Sequence, residues 1–525
     1  MTLKCLPILI VAPFLFFASA VHAQSADKPP ADTTDKPPSD TTDKPSSDTT
    51  DKSPDKPAPS AEDRSKQLNP PIALPTRTVT APAPVNPWFV RPPYTLSTGG
   101  ETPWKLTIYG FAEGDYMEDS TRSFNDGSND NVLAHTGTQA YQNSRGQFTI
   151  RNSRFGFKAN APEFDGVRSS GVLEFDLFGN QPTLNSAGGT GTVSEAGYFN
   201  NAALRVRHAY VKLEDSYVDV LAGQTYHLLG WQNYFFVATA AFLGVPNELF
   251  NRTTQLRLSH TFQSDLVNVD IAIAGFRPVQ RDSGTPDGEG GLRLALNHWK
   301  GITTPGSGGT GALPAAIGVS GLVRSFKVNP EGTLPAAPLK ANGWAFAVDA
   351  LIPVIPVKDS TDRGNALTLT GEFTKGSGYA DQFTGMTAGA TMPTAAPVPA
   401  GSPMGTMGTP YATDIDPGLV AFDSTGAIHS INWQSFIVGF QYYLPPTGRL
   451  FISANYSQGK SDNIATYYPN ATGVFNKSTY ADGNIFFDIT PAARVALSYQ
   501  YGKQTFNDTT TSHNNRYEVT WLYFF

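Results

Sequence analysis

Apolar and polar residues alternate position by position through much of the chain between Trp104 and Phe525. Successive side chains of a β-strand point to opposite faces of a sheet, so this alternation predicts strands with one apolar and one polar face. Turn-forming residues separate the alternating segments. The sequence thus predicts sixteen strands, at 104–115, 147–160, 166–178, 201–213, 217–227, 252–262, 265–277, 289–299, 312–328, 343–357, 363–379, 429–444, 448–460, 478–489, 491–505 and 514–525.

The final predicted strand carries this pattern to the last residue. Its aromatic or apolar face consists of Tyr517, Val519, Trp521, Tyr523 and Phe525. A similar pattern recurs in the strand at 201–213, where alternation predicts one face with Leu204, Val206, His208 and Tyr210 and an opposite face with Arg205 and Arg207. Each strand therefore has a face suited to lipid and a face suited to water.

Long and short connections alternate between the predicted strands. The long ones are 116–146, 179–200, 228–251, 380–428 and 461–477, and most of the connections between them are tight turns. Bacterial outer-membrane barrels have short periplasmic turns and long external loops. We therefore predict an all-β fold, a 16-stranded antiparallel transmembrane β-barrel, because a sheet crosses a membrane only when it closes on itself. A barrel of this size is too wide for its side chains to fill, which predicts an aqueous channel.

The connection 228–251 is unusually apolar for an exposed loop, with Trp231, Tyr234 and Phe235 in its first half. Two explanations account for this composition: the loop folds inward and narrows the channel, or it packs at a contact between subunits. The fold prediction adopts the inward-folded loop.

Composition before Trp104 indicates export and a separate segment. Residues 1–23 have the basic start, apolar stretch and small-residue cleavage site of a signal peptide. Residues 24–103 contain a repeated Asp-Lys-Pro octad without large apolar side chains, which predicts a disordered periplasmic tether. Residues 104–525 form the predicted barrel domain. The single cysteine, Cys5, lies in the signal peptide, so we expect no disulfides in the exported protein.

Several functional classes are disfavoured by the sequence. The net charge of −7 argues against nucleic acid as a partner. Histidines are scattered singly, and no serine lies in a nucleophile-elbow context, which disfavours an outer-membrane hydrolase. The glycine-rich segment 306–311 lacks the flanking strand and helix of a dinucleotide site. We therefore expect no enzymatic activity, no metal site and no cofactor.

Basic side chains concentrate on the predicted polar faces of strands two to six. They are Arg151, Arg154, Arg168, Arg205, Arg207 and Arg257. Acidic residues face the same interior, at Glu113, Glu174, Asp176, Glu372 and Glu518. Two interpretations stay open: the arginines converge into a wall that binds carboxylate or phosphate groups, or they pair with the acids and only shape the lumen.

Four segments of strands two to five carry a family resemblance. Residues 152–159, 172–179, 204–211 and 221–225 resemble, in order, the DcaP-like outer-membrane porins. The resemblance implies a sixteen-stranded trimeric porin that favours small negatively charged solutes such as dicarboxylates, with Arg154, Arg205 and Arg207 as lumen arginines. The chain departs from the family at Tyr226-His227, where tryptophan is usual, and in its octads, which replace a coiled coil.

These observations together predict an outer-membrane porin of a Gram-negative-type bacterium. We expect it to form a passive diffusion channel for small hydrophilic solutes, with a preference for anions. Its expected partners are outer-membrane lipid, small anionic or polar solutes and two further copies of the chain in a homotrimer. The alternative is a barrel that anchors the tether to the envelope or acts through other proteins.

Overall fold

A computed structural model of the protein describes residues 94–525. The gaps are 101, 128–131, 180–202, 233, 236, 242, 279–284, 303–311, 332–336, 359–362, 384–386, 392, 394, 395, 399, 400, 405, 409 and 412–414. The predicted signal peptide and nearly all of the predicted tether lie outside the described residues, as does the glycine-rich segment 306–311.

Strands dominate the described part of the chain. They are β1 (Tyr94–Ser97), β2 (Lys105–Asp119), β3 (Arg145–Thr149), β4 (Arg154–Asn160), β5 (Arg168–Gly179), β6 (Ala203–Glu214), β7 (Asp219–Tyr226), β8 (Arg252–Gln263), β9 (Val267–Phe276), β10 (Asp287–Ile302), β11 (Ala312–Val328), β12 (Leu339–Ile355), β13 (Ala366–Ser377), β14 (Val420–Phe422), β15 (Ile428–Ser430), β16 (Asn432–Tyr443), β17 (Leu450–Lys460), β18 (Phe475–Asp488), β19 (Ala493–Phe506) and β20 (Thr511–Phe524). Each predicted strand has a counterpart among them.

Antiparallel pairing joins these strands into a closed barrel. Each long strand pairs with its neighbours along the chain, and β2 pairs with β20 to close the ring. Strands β3 and β4 both pair with β2 and act as two halves of one wall strand. The short β1 pairs only with β2, while β14 and β15 form a separate hairpin within a loop. The prediction of a 16-stranded antiparallel barrel is confirmed.

The seam between the first and last wall strands uses two different partners along the same edge of β2. Residues 111–119 pair with β20, and residues 105–108 pair with β1. Between them, Gly110 and Phe525 exchange two backbone hydrogen bonds of 3.0 and 3.1 Å. Strand β1 lies within the segment predicted as tether, so the sheet begins before Trp104; the domain boundaries otherwise stay predictions.

Side-chain exposure is inverted relative to a water-soluble protein. On β12, Trp344, Phe346 and Val348 are exposed on the outer face, while Asp349 is fully buried on the inner face. On β20, the aromatic residues of the predicted lipid face are exposed and Glu518 is buried. An apolar exterior is stable only in contact with hydrocarbon, so the barrel is a membrane protein.

One face assignment from the sequence is wrong, because a β-bulge interrupts β6. Glu174 pairs with His208, but the next residue of β5 pairs with Val206, which leaves Arg207 as the extra residue. A bulge inserts one residue and reverses the alternation beyond it. His208 and Tyr210 therefore face the interior rather than lipid, and His208 is buried. The lipid-facing positions beyond the bulge are Val211 and Leu213, both exposed.

Helices are few and short. The α-helical turns are Gln139–Gln142 and Ile464–Tyr467, and the 3-10 turns are Leu229–Trp231 and Ala380–Gln382. No helix in the described part of the chain is long and apolar enough to cross a membrane.

Depth in the membrane determines how well the outer face tolerates charge. Leu497 lies midway along the exposed apolar face of β19, whereas Tyr501 lies near its long-loop end. We expect Leu497→Lys to lower the free energy of unfolding from lipid vesicles by about 2–4 kcal/mol, and Tyr501→Lys by about 1 kcal/mol or less. Urea titration in vesicles measures both. Equal costs at the two positions would contradict the assignment of this face to lipid.

Candidate functional site: the channel interior

The described residues of the segment between β7 and β8, 227–251, lie inside the barrel. Ser453 on the β17 wall donates a hydrogen bond to the carbonyl oxygen of Ala238 at 2.8 Å, and Ser457 donates to that of Pro246 at 2.6 Å. Across the barrel, Asn152 donates to the carbonyl oxygen of Ala241. These contacts with two separate parts of the wall confirm the inward-folded loop of the fold prediction. We call residues 227–251 the inner loop.

The apolar side chains of the inner loop explain its composition. Trp231 and Phe235 are buried against Ala272 on β9 and Leu351 on β12. The turn that starts this packing needs glycine: Gly230 has φ of 77°, and a Cβ atom there would lie 2.8 Å from Leu249. The residues that looked too apolar for an exposed loop therefore pack against the barrel wall.

Carboxylates hold the backbone of the inner loop. Glu289 on β10 accepts a hydrogen bond from the Leu228 amide at 2.8 Å, and Glu372 on β13 accepts one from the Leu249 amide at 3.0 Å. Glu248, within the loop, accepts from the Val245 amide at 2.9 Å. Burial raises the pKa of Glu248 to about 8, and the nearby Glu372 acts in the same direction.

The arginines of the predicted site converge around two buried carboxylates of β5. Arg207 donates to Glu174 at 2.7 Å and to Asp176 at 3.1 Å. Arg205 donates two hydrogen bonds to the Asp176 carboxylate, of 3.0 and 2.6 Å. Arg205 and Arg207 both face inward. The alternation of β6 reverses only after them, at the bulge.

Two further guanidinium groups belong to this cluster without a close carboxylate of their own. Arg154 Nε lies 3.7 Å from Glu174, and its side chain is fully buried beside the ring of Phe111. Arg252 lies over the rings of Tyr226 and Phe250, with its guanidinium carbon 5.2 and 5.4 Å from their centroids. Among the described residues Arg252 forms no ion pair, and its Nη1 has no hydrogen-bond partner.

The cluster therefore has an excess of positive charge. Four guanidinium groups surround two carboxylates, and we call this set the arginine cluster: Arg154, Arg205, Arg207, Arg252, Glu174 and Asp176. Tyr226 connects its parts, since the phenolic oxygen accepts from Arg207 at 2.8 Å while its ring lies beneath Arg252. Arg257 approaches the same tyrosine and donates to its carbonyl oxygen at 2.7 Å.

The other two predicted arginines, Arg151 and Arg168, do not belong to the arginine cluster. Arg151 donates to Asp126 at 3.2 Å and to the carbonyl oxygens of Leu177 and Gly179. Arg168 lies at the short-turn rim, more than half exposed, with Glu214 at 3.9 Å. The structure thus places Arg154, Arg205, Arg207 and Arg257 together and separates Arg168 from them. Arg151 borders the cluster, since its guanidinium carbon and that of Arg205 each lie 5.2 Å from the centroid of the Phe178 ring.

Acidic side chains concentrate on other parts of the inner wall. Asp349 and Glu372 are register partners on β12 and β13, and both are buried. A second acidic group combines Glu113 and Asp115 of β2 with Glu518 of β20. The lumen is therefore mixed in charge, with the arginine cluster on β4 to β8 and these acids on separate strands.

Sequence reasoning missed Arg252. Strict alternation on β8 places Gln255 and Arg257 inside and assigns position 252 to the outer face. The arginine instead lies against Tyr226 and Phe250, at the point where the inner loop rejoins the wall. Its location directly after an apolar loop is the sequence signal that could have identified it.

The interior offers no arrangement typical of metal chemistry in the described part of the chain. No three His, Cys, Asp or Glu side chains there are grouped to hold a metal ion.

A closed barrel with a lipid-compatible exterior, a polar interior and a loop folded into its bore defines an outer-membrane β-barrel of the porin type. No family model matches the chain, and no curated protein matches it in sequence. Its fold is similar to that of the outer membrane channel DcaP of Acinetobacter baumannii, with a TM-score of 0.53 and 16% identity over 83% of this chain and 100% of that one. The expected resemblance to DcaP-like porins is thus supported by the fold.

Two further solved structures show more distant similarity. An anion-selective porin from Comamonas acidovorans matches with a TM-score of 0.43 and 10% identity, over 80% of this chain and 100% of that one. Salmonella typhi OmpF, in complex with daunomycin, matches with a TM-score of 0.43 and 13% identity, over 80% and 98% of the two chains.

The buried ion pairs make Glu174 a sensitive position. We expect Glu174→Gln to lower the free energy of unfolding by about 3 kcal/mol, because it leaves Arg207 buried with a weaker acceptor. The matched control is Glu214→Gln at the rim, where the partly exposed pairs with Lys212 and Arg168 contribute about 1 kcal/mol or less. Urea titration in vesicles compares them, and a cost at Glu174 no larger than at Glu214 would contradict the buried network.

The serine anchors should restrain the inner loop. In Ser453→Ala plus Ser457→Ala, two loop carbonyls each lose a serine donor, although Asn455 still donates to that of Ala238 at 2.9 Å. Each lost hydrogen bond is worth about 1 kcal/mol. We expect larger and noisier single-channel conductance, because the loop moves more within the bore. The control is Ser478→Ala plus Ser498→Ala, at two buried inner-face serines that bond to no described residue of the loop. Identical conductance in all three proteins would show that these anchors do not control the bore.

Proposed function

We propose that this protein is a porin: a passive diffusion channel through the outer membrane for small hydrophilic solutes, with a preference for anions such as dicarboxylates. The observation that carries the anion preference is the excess of guanidinium groups over carboxylates in the arginine cluster. No catalytic step is part of this function, and we propose no enzymatic activity.

The geometry of the cluster supports binding of carboxylate groups. Glu174 and Asp176 fix Arg207 from two sides, so its guanidinium stays in one orientation at the wall. Arg205 is 40% exposed, so it can meet an incoming anion. Arg252 has no acidic partner in the described part of the chain, and its uncompensated charge adds to the attraction. A guanidinium group offers a planar fork of donors that matches a carboxylate.

The inner loop supports selectivity as well as restriction. It enters the bore next to the arginine cluster, because Tyr226 ends β7 and Arg252 begins β8. The solute path is therefore narrowed close to the excess positive charge. A narrow polar passage with low-dielectric walls strengthens the effect of fixed charges on passing ions.

We further propose that the protein assembles as a homotrimer, with outer-membrane lipid around the assembly and the signal peptide removed during export. The resemblance to the DcaP-like porins supports the trimer. Because residues 227–251 pack inside their own barrel, they are not required to cover a subunit contact.

The experiment that tests the anion preference is the reversal potential in a planar bilayer under a salt gradient. Wild type should favour chloride over potassium. Arg205→Gln plus Arg252→Gln should shift the reversal potential toward cations, since it removes the partly exposed charge of the cluster and the charge that has no acidic partner among the described residues. Addition of succinate should reduce the chloride current of the wild type more than that of the double variant.

A matched control keeps this test specific. Arg168→Gln plus Lys158→Gln removes two positive charges from exposed positions near the short-turn end, and it should leave the selectivity nearly unchanged. A cation-selective wild type would overturn the anion preference while leaving a channel. The absence of any current from correctly folded protein would overturn the channel itself and favour an anchoring role.

A further inference from the structure

A row of lysines crosses the outer face of the barrel at the end that carries the long loops. Lys375, Lys460, Lys477 and Lys503 are all exposed and share the outward face with the apolar residues of their strands. They lie on β13, β17, β18 and β19, next to the long connections 378–431 and 461–474 and the short connection 507–510. We call these four residues the lysine row.

The register of the sheet brings these lysines close together. Gln434 on β16 pairs with Lys375 on one side and with Lys460 on the other. Lys460 in turn is the direct register partner of Lys477. Like charges directly opposite each other across a strand pair destabilise the sheet. None of the four lysines forms an ion pair with a described residue, so no described side chain relieves this repulsion.

A cleft lies within the row. Its volume is about 170 Å³, and Lys375 and Lys460 line it together with Trp344, Gln434, Asn432 and Asp462. The single carboxylate there is already engaged, since Asp462 accepts a hydrogen bond from the Asn432 side chain at 3.0 Å. The cleft therefore combines two unpaired ammonium groups, amide side chains and an exposed indole.

An apolar surface continues from the cleft toward the middle of the barrel. Phe346, Phe373, Phe436 and Tyr456 are exposed on the strands that line the cleft, which are β12, β13, β16 and β17. On each strand the aromatic residue lies two or more positions nearer to the membrane centre than the residues that line the cleft. A ligand with a charged head and hydrocarbon chains would fit this order of side chains. A soluble anion would contact only the cleft and its lysines, and not the apolar surface.

We propose that the lysine row binds the phosphate groups of a phosphorylated glycolipid in the outer leaflet of the membrane. Long loops mark the external end of an outer-membrane barrel, so the row lies at the level of outer-leaflet headgroups. Lysine binds phosphate as a point charge, and basic side chains at a membrane surface attract anionic headgroups. In this arrangement the phosphates separate Lys460 from Lys477, the amides contact the sugar and the aromatic residues contact the acyl chains.

The test uses the purified full-length barrel in neutral detergent, titrated with bisphosphorylated lipid A or with the same lipid after dephosphorylation. Native mass spectrometry counts the bound lipids. Wild type should bind the phosphorylated form more tightly. Lys375→Gln plus Lys460→Gln should weaken that binding roughly thirtyfold, which corresponds to the contribution of about two lysines at an anionic surface. The double variant should bind the dephosphorylated form as tightly as wild type does.

The control is Lys105→Gln plus Lys158→Gln, which removes two exposed lysines at the opposite end of the barrel and should bind like wild type. Circular dichroism and heat-modifiable gel mobility establish that each variant is folded. Equal affinity of wild type for the two lipid forms would overturn the proposal, as would equal loss in the control. Competition by inorganic phosphate at the affinity of the lipid would also overturn it, because it would assign the site to a free anion.

Discussion

Every wall strand of this barrel depends on a hydrogen-bonded neighbour on each side, because a backbone group in hydrocarbon has no water to bind. An open edge would leave a row of amides and carbonyls unpaired at a cost of several kcal/mol each. Pairing of β2 with β20 removes that edge, and the two bonds between Gly110 and Phe525 extend the closure to the last residue. The first and last wall strands are thus neighbours in space, although nearly the whole barrel domain separates them in sequence.

Closure also determines where polar side chains can go. Lipid on the outside requires apolar residues there, so charged residues of the strands turn toward the bore, where they meet one another. Buried charges need partners, and the interior supplies them as ion pairs and as bonds to the inner loop. Glu372 shows the connection: it lies on the wall, yet it holds the amide of Leu249 in the loop. Wall carboxylates such as Glu372 therefore determine both the position of the loop and the electrostatics of the bore.

The strands could be predicted from the sequence because each one reports its own two environments through alternation. The number of wall strands, the orientation of the lipid face and the placement of Arg205 and Arg207 on the inner face followed from that local signal. The bulge at Arg207 could not be predicted, since it depends on how β5 and β6 register against each other. It reversed the faces of His208 and Tyr210. Arg252 was missed for a related reason: its side chain follows the inner loop rather than the pleat of β8.

The arginine cluster is informative because its charges are only partly compensated. Complete pairing of four guanidinium groups with four carboxylates would leave no attraction for a solute, whereas four unpaired cations would repel one another strongly in a buried wall. Here Glu174 and Asp176 stabilise Arg207 and Arg205, and aromatic rings stabilise Arg252 without neutralising it. A cation held over π-faces keeps its full charge. The surroundings of Tyr226 thus provide the condition that anion selection requires, a fixed positive charge at a tolerable cost in stability.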